Sequence, residues 1–377
     1  MTAEPIRAIA FYLPQFHPIP ENDAWWGKGF TEWSNVVKAK PLFRGHYQPH
    51  LPADLGFYDL RLPETREAQA DLAKQFGIYG FCYYHYWFNG KQLLERPFNE
   101  VLSSGEPNFP FCLCWANENW SRAWDGGESM LLMEQSYSEE DDRNHIRALA
   151  NVFLDDRYIR VGGKPVFLVY RPSLLPNPER TASIWREEAL RLGVGDIFLC
   201  KVESIKEERF DAAKIGFDAA IEFQPDTLHL GPPLKSSRLW QLARKVGLTK
   251  RYYADQYIYD YPTLVKTMLK QPRASYKRFP SVFPSWDNSP RRNVRATIIR
   301  NSTPQLYQQW LQHVLETFEP PTAEENLVFI TAWNEWAEGN HLEPCQKWGR
   351  AYLEATKAAF DLSGNSAAEK AFLETVP

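Results

Sequence analysis

Short apolar runs alternate with longer amphipathic segments from one end of the chain to the other. Such runs are typical of buried parallel strands, whereas apolar positions at helical spacing predict helices that cover a sheet. The predicted strands are residues 7–13, 80–85, 110–115, 165–170, 196–202, 219–223, 278–286 and 327–331. The predicted helices are residues 63–76, 94–102, 139–154, 181–192, 261–269, 303–318 and 349–362, with a short helix near Ala212.

The order of these elements predicts the fold class. Eight strands, each followed by a helix, are the number that a (β/α)8 barrel requires. A doubly wound open sheet is the alternative, but no G-x-G-x-x-G motif follows the first strand. We therefore expect an α/β fold in which residues 1–377 form a single (β/α)8 TIM barrel with elaborated strand-to-helix loops.

Two connections are unusually long. The first follows the first strand and is predicted as an aromatic loop that contains Trp25, Trp26, Trp33 and Tyr47. The second is an insertion at about residues 226–260, after the sixth strand, with many Lys and Arg side chains. Residues 227–255 are predicted either to be a mobile lid that closes over the barrel mouth or to form a solvated basic surface.

Composition narrows the class of ligand. The net charge of −4 over 377 residues provides no basic surface for nucleic acid. Aromatic residues make up 15% of the chain and include 14 Trp, which suits either flat platforms for sugar rings or a Trp-rich core. The first residues lack a signal-peptide pattern and no apolar stretch is long enough for a transmembrane segment, so we expect a cytoplasmic protein. No pattern in the sequence indicates an oligomeric state.

Polar and aromatic side chains are concentrated where the predicted strands end. In a (β/α)8 barrel these ends converge on one face, where the active site lies. Asn, Gln, His and Tyr both donate and accept hydrogen bonds, which suits a ligand rich in hydroxyl groups. The predicted substrate-binding residues are Tyr12, Gln15, His17, Trp26, Glu32, Trp33, His85, Tyr86, Trp87, Asn117, Glu118, Trp120, Tyr170, Glu222, Trp286, Asn334, Trp336 and His341.

The last predicted strand leads into two carboxylates, Glu335 and Glu338, among Trp side chains. A carboxylate next to large aromatic rings is costly unless it is paired or protonated, and a raised pKa is what a general acid needs. On a continuing strand the two side chains would point to opposite faces, so the chain must turn at about Asn334. Such a pair is suited to acid/base catalysis on a glycosidic bond, although two structural carboxylates would leave the same pattern.

Other chemistries have weaker signals. His46 and His50 have H-x-x-x-H spacing, but Pro49 between them is disfavoured inside a helix, so we expect neither a metal site nor a cofactor. No G-x-S-x-G motif indicates a serine hydrolase. The five Cys residues are odd in number and lie mostly in or beside apolar runs, so they are expected to be buried thiols rather than a disulfide framework.

The strand-end motifs resemble those of glycoside hydrolase family 99-like proteins, including WbsX-type glycosyltransferases of polysaccharide gene clusters. The likeness is carried by residues 10–17, 26–33, 83–87, 115–120 and 333–343, and covers nearly the whole chain. It implies a (β/α)8 barrel that acts on glycosidic bonds. The family 99 hydrolases cut within α-mannosides and share an N-E-W-x-E-G segment that resembles residues 334–339, with His where this chain has Ala337.

The resemblance also implies roles for the pair. Glu335 would deprotonate the sugar 2-hydroxyl to give a 1,2-anhydro intermediate, and Glu338 would protonate the leaving oxygen and then activate water. The leading hypothesis is a retaining endo-acting glycoside hydrolase on an α-linked, mannoside-like oligosaccharide or polysaccharide. The alternatives are a glycosyl-transferring enzyme of surface-polysaccharide biosynthesis and a non-catalytic carbohydrate-binding barrel.

Overall fold

Parallel strands form a closed barrel in the computed structural model, which describes residues 5–122, 127–234, 242, 256–292 and 294–375. The barrel strands are β1 (Arg7–Tyr12), β2 (Gly80–Phe88), β3 (Phe111–Trp115), β4 (Lys164–Val169), β5 (Phe198–Glu203), β6 (Ala219–Glu222), β7 (Arg278–Phe279 and Ser281–Val282) and β8 (Leu327–Ile330). Neighbours follow chain order, and β1 pairs with β8. The barrel closes at β7, because its first piece pairs with β6 and its second with β8.

Helices surround this barrel. They are α1 (Pro20–Trp26), α2 (Glu32–Lys38), α3 (Pro63–Gln75), α4 (Arg96–Ser104), α5 (Glu139–Phe153), α6 (Pro178–Arg191), α7 (Tyr261–Met268), α8 (Pro304–Thr317) and α9 (Ala351–Thr375). After β5 the connection contains only short 3₁₀ turns, at Lys206–Glu208 and Ala212–Ile215. The predicted (β/α)8 barrel is therefore confirmed, and most predicted boundaries lie within three residues of the observed ones.

Three predicted elements need correction. The aromatic loop after β1 contains two helices: α1 starts with Pro20 at its first turn, and Thr31 and Ser34 form a capping box for α2. The seventh strand is shorter than predicted, because Pro280 has no N–H to donate and separates its two pieces. The last helix continues beyond the predicted end at residue 362.

Aromatic rings fill the barrel interior. The ring of Phe11 on β1 lies 5.7 Å from Phe329 on β8, 5.3 Å from Phe223 after β6 and 5.7 Å from Tyr84 on β2, measured between centroids. Rings from four strands or strand ends thus meet on the barrel axis, as expected for a packed interior rather than a pore. This layer forms the base on which the mouth of the barrel is built.

Several short strands lie outside the eight barrel strands. Lys91–Leu93 pairs with the end of β2, Trp120–Arg122 with Gly127–Met133, and Arg160–Val161 with β4. A separate three-stranded sheet joins Tyr257–Asp260, Thr297–Arg300 and Trp286–Asp287. The predicted lid at residues 227–255 falls largely outside the described residues, since 235–241 and 243–255 are not among them.

All five Cys side chains are buried free thiols, as predicted. Within the described ranges, no helix combines the length and apolar character needed to cross a bilayer.

Candidate active site

A cavity of about 670 Å³ opens at the end of the barrel where the carboxyl termini of the strands lie. Residues on β2 and residues that follow each of the other seven barrel strands line it, so it occupies the position where active sites of this fold occur. Nine of the predicted site residues line this cavity: Gln15, Trp26, Tyr86, Glu118, Trp120, Tyr170, Trp286, Glu335 and Glu338.

The carboxylate pair lies on a tight hairpin after β8. Asn334–Glu335 pairs antiparallel with Asn340–His341, and a 3₁₀ turn at Trp336–Glu338 connects them. Gly339 closes the turn with a φ of 56°, and a Cβ there would lie 3.2 Å from Asp287 and 3.3 Å from His50. The predicted departure from the strand is confirmed, and it brings both Glu335 and Glu338 to the same cavity.

Buried hydrogen bonds fix the hairpin from below. The amide of Asn334 accepts from the Leu13 N–H at 2.7 Å and donates to the Leu13 carbonyl at 3.0 Å, which ties it to β1. Glu343 is 2% exposed and accepts from Tyr58 Oη, Gln69 Nε2 and Trp336 Nε1 at 2.5–2.8 Å. Because these groups are buried away from water, they depend on one another for hydrogen bonds, and these bonds hold the hairpin in place.

Arg291 joins the pair to a third carboxylate. Its guanidinium lies 3.0 Å from Glu335, 2.8 Å from Glu338 and 2.7 Å from Glu32. Glu32 is completely buried at the start of α2 and does not line the cavity. Charge-assisted bonds of this kind hold a carboxylate firmly, so Arg291 sets the separation between Glu335 and Glu338.

Burial governs the protonation of the pair. Desolvation raises the pKa of Glu335 to about 8, with Arg291 opposing the shift and Glu338 and Glu32 adding to it. Desolvation also raises the pKa of Glu338, again against the attraction of Arg291. Three carboxylates share the one buried guanidinium, which favours a proton on the pair near neutral pH.

Aromatic and unpaired polar groups form the cavity wall. Tyr84 and Tyr86 come from β2, and the ring of Trp120 lies 5.0 Å from that of Tyr86. Asn22 on α1 is completely buried in the wall, and neither its amide oxygen nor its amide nitrogen has a hydrogen-bond partner among the described residues. The indole N–H of Trp286 likewise has no partner in that part of the chain. Buried polar groups are nearly always satisfied, so these atoms indicate places for a polar ligand.

Strand alternation places three predicted residues behind the wall instead of in it. Tyr12 on β1 donates to Gln69 of α3, and burial raises its pKa. On β2, His85 lies 2.9 Å from His145 of α5, while Trp87 stacks on His145 and donates to Asp141. Tyr12, His85 and Trp87, which were predicted to bind a ligand, therefore do not line this cavity.

The remaining predicted residues support the cavity from outside it. Asn117 bonds both backbone groups of Arg171, Trp33 donates to the Tyr58 carbonyl, and Glu222 accepts from the Ser281 N–H. Trp336 stacks on His341 with ring centroids 3.8 Å apart. These five side chains, together with the buried residues His17, Glu32 and Asn334, lie outside the set that lines the cavity. The predicted Trp-rich core is confirmed by five fully buried residues, Trp115, Trp185, Trp310, Trp333 and Trp336, whereas Trp26, Trp120 and Trp286 line the cavity.

The histidine pair noted in the sequence has protein partners. His46 Nε2 lies 2.5 Å from Asp287, and His50 Nδ1 lies 3.0 Å from His341 Nε2. Among the described residues, no group of three or more His, Cys, Asp or Glu side chains has the arrangement of a metal site.

Several cavity residues were missed from the sequence. Tyr84 belongs to the same strand as Tyr86, and a strict two-residue alternation from Tyr86 would have selected it. Arg291 could have been suspected from its charge, because buried carboxylates require a cation. Asn22 and Arg292 carry no comparable signal, since each lies in a connection whose path the sequence does not define.

The fold and this cavity define a (β/α)8 barrel protein with a carboxylate pair in its mouth. The chain belongs to the WbsX glycosyltransferase family, whose model matches residues 8–356. It is 45% identical over 367 residues to the uncharacterized protein WxcX of Xanthomonas campestris pv. campestris, in strains B100 and ATCC 33913. This match includes 97% of the chain but 51% of WxcX, so the chain spans about half the length of these curated relatives.

Solved structures share the fold. The GH99 endo-alpha-mannosidase from Bacteroides thetaiotaomicron matches with a TM-score of 0.56 and 15% identity, over 96% of this chain and 98% of the other. A glycoside hydrolase-like protein matches with the same TM-score and 14% identity, over 96% of this chain and 95% of the other. At this level of identity the likeness shows the fold alone.

Proposed function

We propose that this chain is a glycan-active enzyme that breaks an α-glycosidic bond with net retention, using Glu335 and Glu338. The observation that carries the proposal is the convergence of these two carboxylates on one cavity, where a single guanidinium holds both. A structural pair would have its oxygens satisfied by backbone groups, whereas this pair lines a space large enough for a ligand.

The surroundings of the two carboxylates differ in the way that different roles require. The side chain of Glu338 is 20% exposed and that of Glu335 is 8% exposed. In the proposed reaction, Glu338 exchanges its proton with the leaving group and later with the incoming nucleophile, which requires access from the open side. Glu335 accepts the proton of a sugar 2-hydroxyl in its ionised form, which is the minor form at neutral pH, and the raised pKa makes that form the stronger base.

The proposed reaction has two steps. Glu335 takes the 2-hydroxyl proton as that oxygen attacks C1, the bond from C1 to the leaving oxygen breaks, and Glu338 gives its proton to that oxygen. Water then loses a proton to Glu338 and attacks C1 of the 1,2-anhydro sugar, the bond from C1 to the 2-oxygen breaks, and that oxygen recovers its proton from Glu335. Each step inverts C1, so the product keeps the α configuration.

The wall of the cavity supports a sugar as the ligand. Trp26, Trp120 and Trp286 provide aromatic surface, and Asn22 and the Trp286 indole N–H provide unpaired hydrogen-bonding atoms. Alternating apolar faces and hydroxyl groups of a pyranose complement such a wall. We propose an α-linked, mannoside-like oligosaccharide or polysaccharide, cut internally.

Transfer to an acceptor is the second candidate, and membership of the WbsX glycosyltransferase family favours it. The first step is the same, but an acceptor hydroxyl replaces water in the second. In both reactions the same carboxylate, Glu338, would deprotonate the nucleophile.

Product analysis tests both candidates. The protein is incubated with α-linked mannose oligosaccharides and with bacterial polysaccharides, with and without an added acceptor, and the products are separated by mass and by new reducing ends. Hydrolysis releases reducing ends in water alone, and transfer yields longer products only when the acceptor is present. Binding without any product, from every substrate offered, would contradict an enzymatic role and support a non-catalytic barrel.

A further inference from the structure

A second arginine reaches the cavity beside Arg291. Arg292 lines the cavity and is half-buried. Its backbone N–H donates to the carbonyl of Asn288 at 3.0 Å, in the turn that follows the short strand Trp286–Asp287. The side chain of Arg292 therefore starts from a fixed point on the wall.

The two arginines have different partners. The guanidinium of Arg291 is occupied by Glu32, Glu335 and Glu338. The guanidinium of Arg292 makes neither an ion pair nor a hydrogen bond with any residue in the part of the chain that the structure describes. Its charge acts on Glu338, whose pKa it lowers against the larger effect of burial. The donors of Arg292 thus remain available at the Glu338 end of the cavity.

A guanidinium selects for charge and shape. Its planar set of N–H donors matches two oxygens of a phosphate or carboxylate, and such charge-assisted bonds are about twice as strong as neutral ones. The hydroxyl groups of a neutral sugar accept hydrogen bonds but do not match the charge. The cavity also has neutral hydrogen-bonding atoms at Asn22 and Trp286, so a cation is not needed for hydroxyl binding alone.

We propose that Arg292 binds an anionic group of the substrate, a phosphate or a carboxylate, on the leaving-group side of the bond that is broken. The position rests on the proposed function, in which Glu338 protonates the leaving oxygen and so marks that side. The substrate class is then an acidic glycan or a glycosyl donor with a phosphate leaving group. The competing role for Arg292 is to balance the charge of the carboxylates, which would affect every substrate equally.

Calorimetric binding of three probes tests this proposal. The probes are α-mannosyl phosphate, an α-mannosyl disaccharide ending in glucuronic acid, and the same disaccharide ending in glucose. Each is titrated into the wild-type protein and into the variants Arg292→Gln, Arg292→Lys and Arg295→Gln. The whole series is repeated with Glu338→Gln present in every protein, including the reference, to prevent turnover. Arg295 is an exposed residue of the same loop outside the cavity, and is the control for general electrostatic attraction.

We expect at least one anionic probe to bind more tightly than the neutral one. Arg292→Gln should lower the affinity for that probe by about tenfold or more. The neutral disaccharide should change less than about twofold, Arg292→Lys should recover part of the loss, and Arg295→Gln should resemble wild type. A preference for the phosphate probe indicates a donor, and a preference for the glucuronic acid probe indicates an acidic glycan.

Two results would overturn the proposal. One is equal affinity of the wild-type protein for anionic and neutral probes, and the other is an equal loss for both in Arg292→Gln. The test does not depend on turnover: a retained anionic preference in a protein that breaks no glycosidic bond would contradict the proposed function and support the role of Arg292.

Discussion

Glu335 and Glu338 are close in sequence but differ in what each can exchange with a ligand. Both bond Arg291, yet the side chain of Glu338 has more than twice the exposure of Glu335. A proton donor to a leaving group has to meet that group at the open side of the cavity, whereas a base that acts on the bound sugar can be more deeply buried. In the proposed reaction the two residues therefore act in separate steps.

Replacement of each carboxylate by an amide separates these roles. Glu338→Gln should lower kcat/KM for an alkyl α-mannoside by about 10²–10⁴-fold and should spare much of the activity on an aryl α-mannoside, whose leaving group needs little protonation. Glu335→Gln should reduce both activities alike, because the 2-hydroxyl must be activated in each case. Glu118→Gln, which removes another carboxylate of the cavity, should show no dependence on the leaving group.

Steady-state rates on the two mannosides, with circular dichroism to confirm folding, provide the measurement. An equal loss on both mannosides in Glu338→Gln would exclude Glu338 as the acid.

The pKa of Glu335 predicts a pH dependence of stability. Its pKa is raised from 4.5 to about 8 in the folded protein, so the favourable contribution of the protonated group is complete below 4.5 and is lost as the pH rises to about 8. Glu335→Gln cannot ionise. The free energy of unfolding of this variant, relative to wild type, should increase across that range by up to about 1.4 kcal/mol per pH unit.

Urea unfolding of both proteins at several pH values checks this. Glu187→Gln is the control, because Glu187 is an exposed carboxylate of α6 outside the cavity. A constant difference between Glu335→Gln and wild type from pH 4.5 to 8 would show that burial does not control the protonation of Glu335.

At the scale of elements, β2 shows how a correctly predicted strand can leave its two faces undistinguished, because Tyr86 on one face and His85 and Trp87 on the other were all predicted to bind substrate. The strand is aromatic or apolar on both faces, so the pattern of polar and apolar positions does not show which face meets the cavity. The structure places Tyr84 and Tyr86 in the cavity and places His85 and Trp87 against α5.

The positions of Trp87 and Trp120 predict a loss of stability for one substitution and a loss of ligand binding for the other. Trp87 is 4% exposed and bonds Asp141, so Trp87→Ala should destabilise the protein by about 3–5 kcal/mol. Trp120 lines the cavity, so Trp120→Ala should weaken ligand binding with a smaller loss of stability. Thermal unfolding and binding of an α-mannoside, measured on both variants, distinguish these effects. A larger loss of stability for Trp120→Ala than for Trp87→Ala would contradict the placement of Trp120 in the cavity wall and of Trp87 in the core.

The hairpin after β8 depends on one glycine. Gly339 has a φ of 56°, and an added Cβ would lie 3.2 Å from the backbone and the side chain of Asp287. Gly339→Ala should therefore move the turn and displace Glu338, with a loss of activity on every substrate and of about 1–2 kcal/mol in stability. Gly90→Ala is the matched control, because Gly90 also has a positive φ but its Cβ would meet no atom within 4 Å. Unaltered kcat in Gly339→Ala would contradict the importance of this turn.

At the scale of the whole molecule, the alternation of strands and helices was sufficient to predict the barrel. Its strands are short and buried on both faces, and each is separated from the next by a segment long enough to cross back over the sheet. Because the fold brings strand ends together, the same reading also predicted nine of the residues that line the cavity.

The parts that could not be predicted depend on contacts distant in the chain. Arg291 lies 44 residues from Glu335, and its partner Glu32 lies 259 residues from it. Neither pairing leaves a periodic signal. Helices α1 and α2 were predicted as a loop because each is only seven residues long, too short for an amphipathic pattern to be distinct.

The central claim is that the Glu335 and Glu338 pair breaks an α-glycosidic bond with retention. Proton NMR of the anomeric signals during the first minutes of a reaction with an α-linked mannose oligosaccharide and an acceptor tests it most directly. We expect an α-configured product to form first with the wild-type protein, and the double variant Glu335→Gln/Glu338→Gln to form none. A β-configured first product, or the same rate of product formation in the double variant, would contradict it.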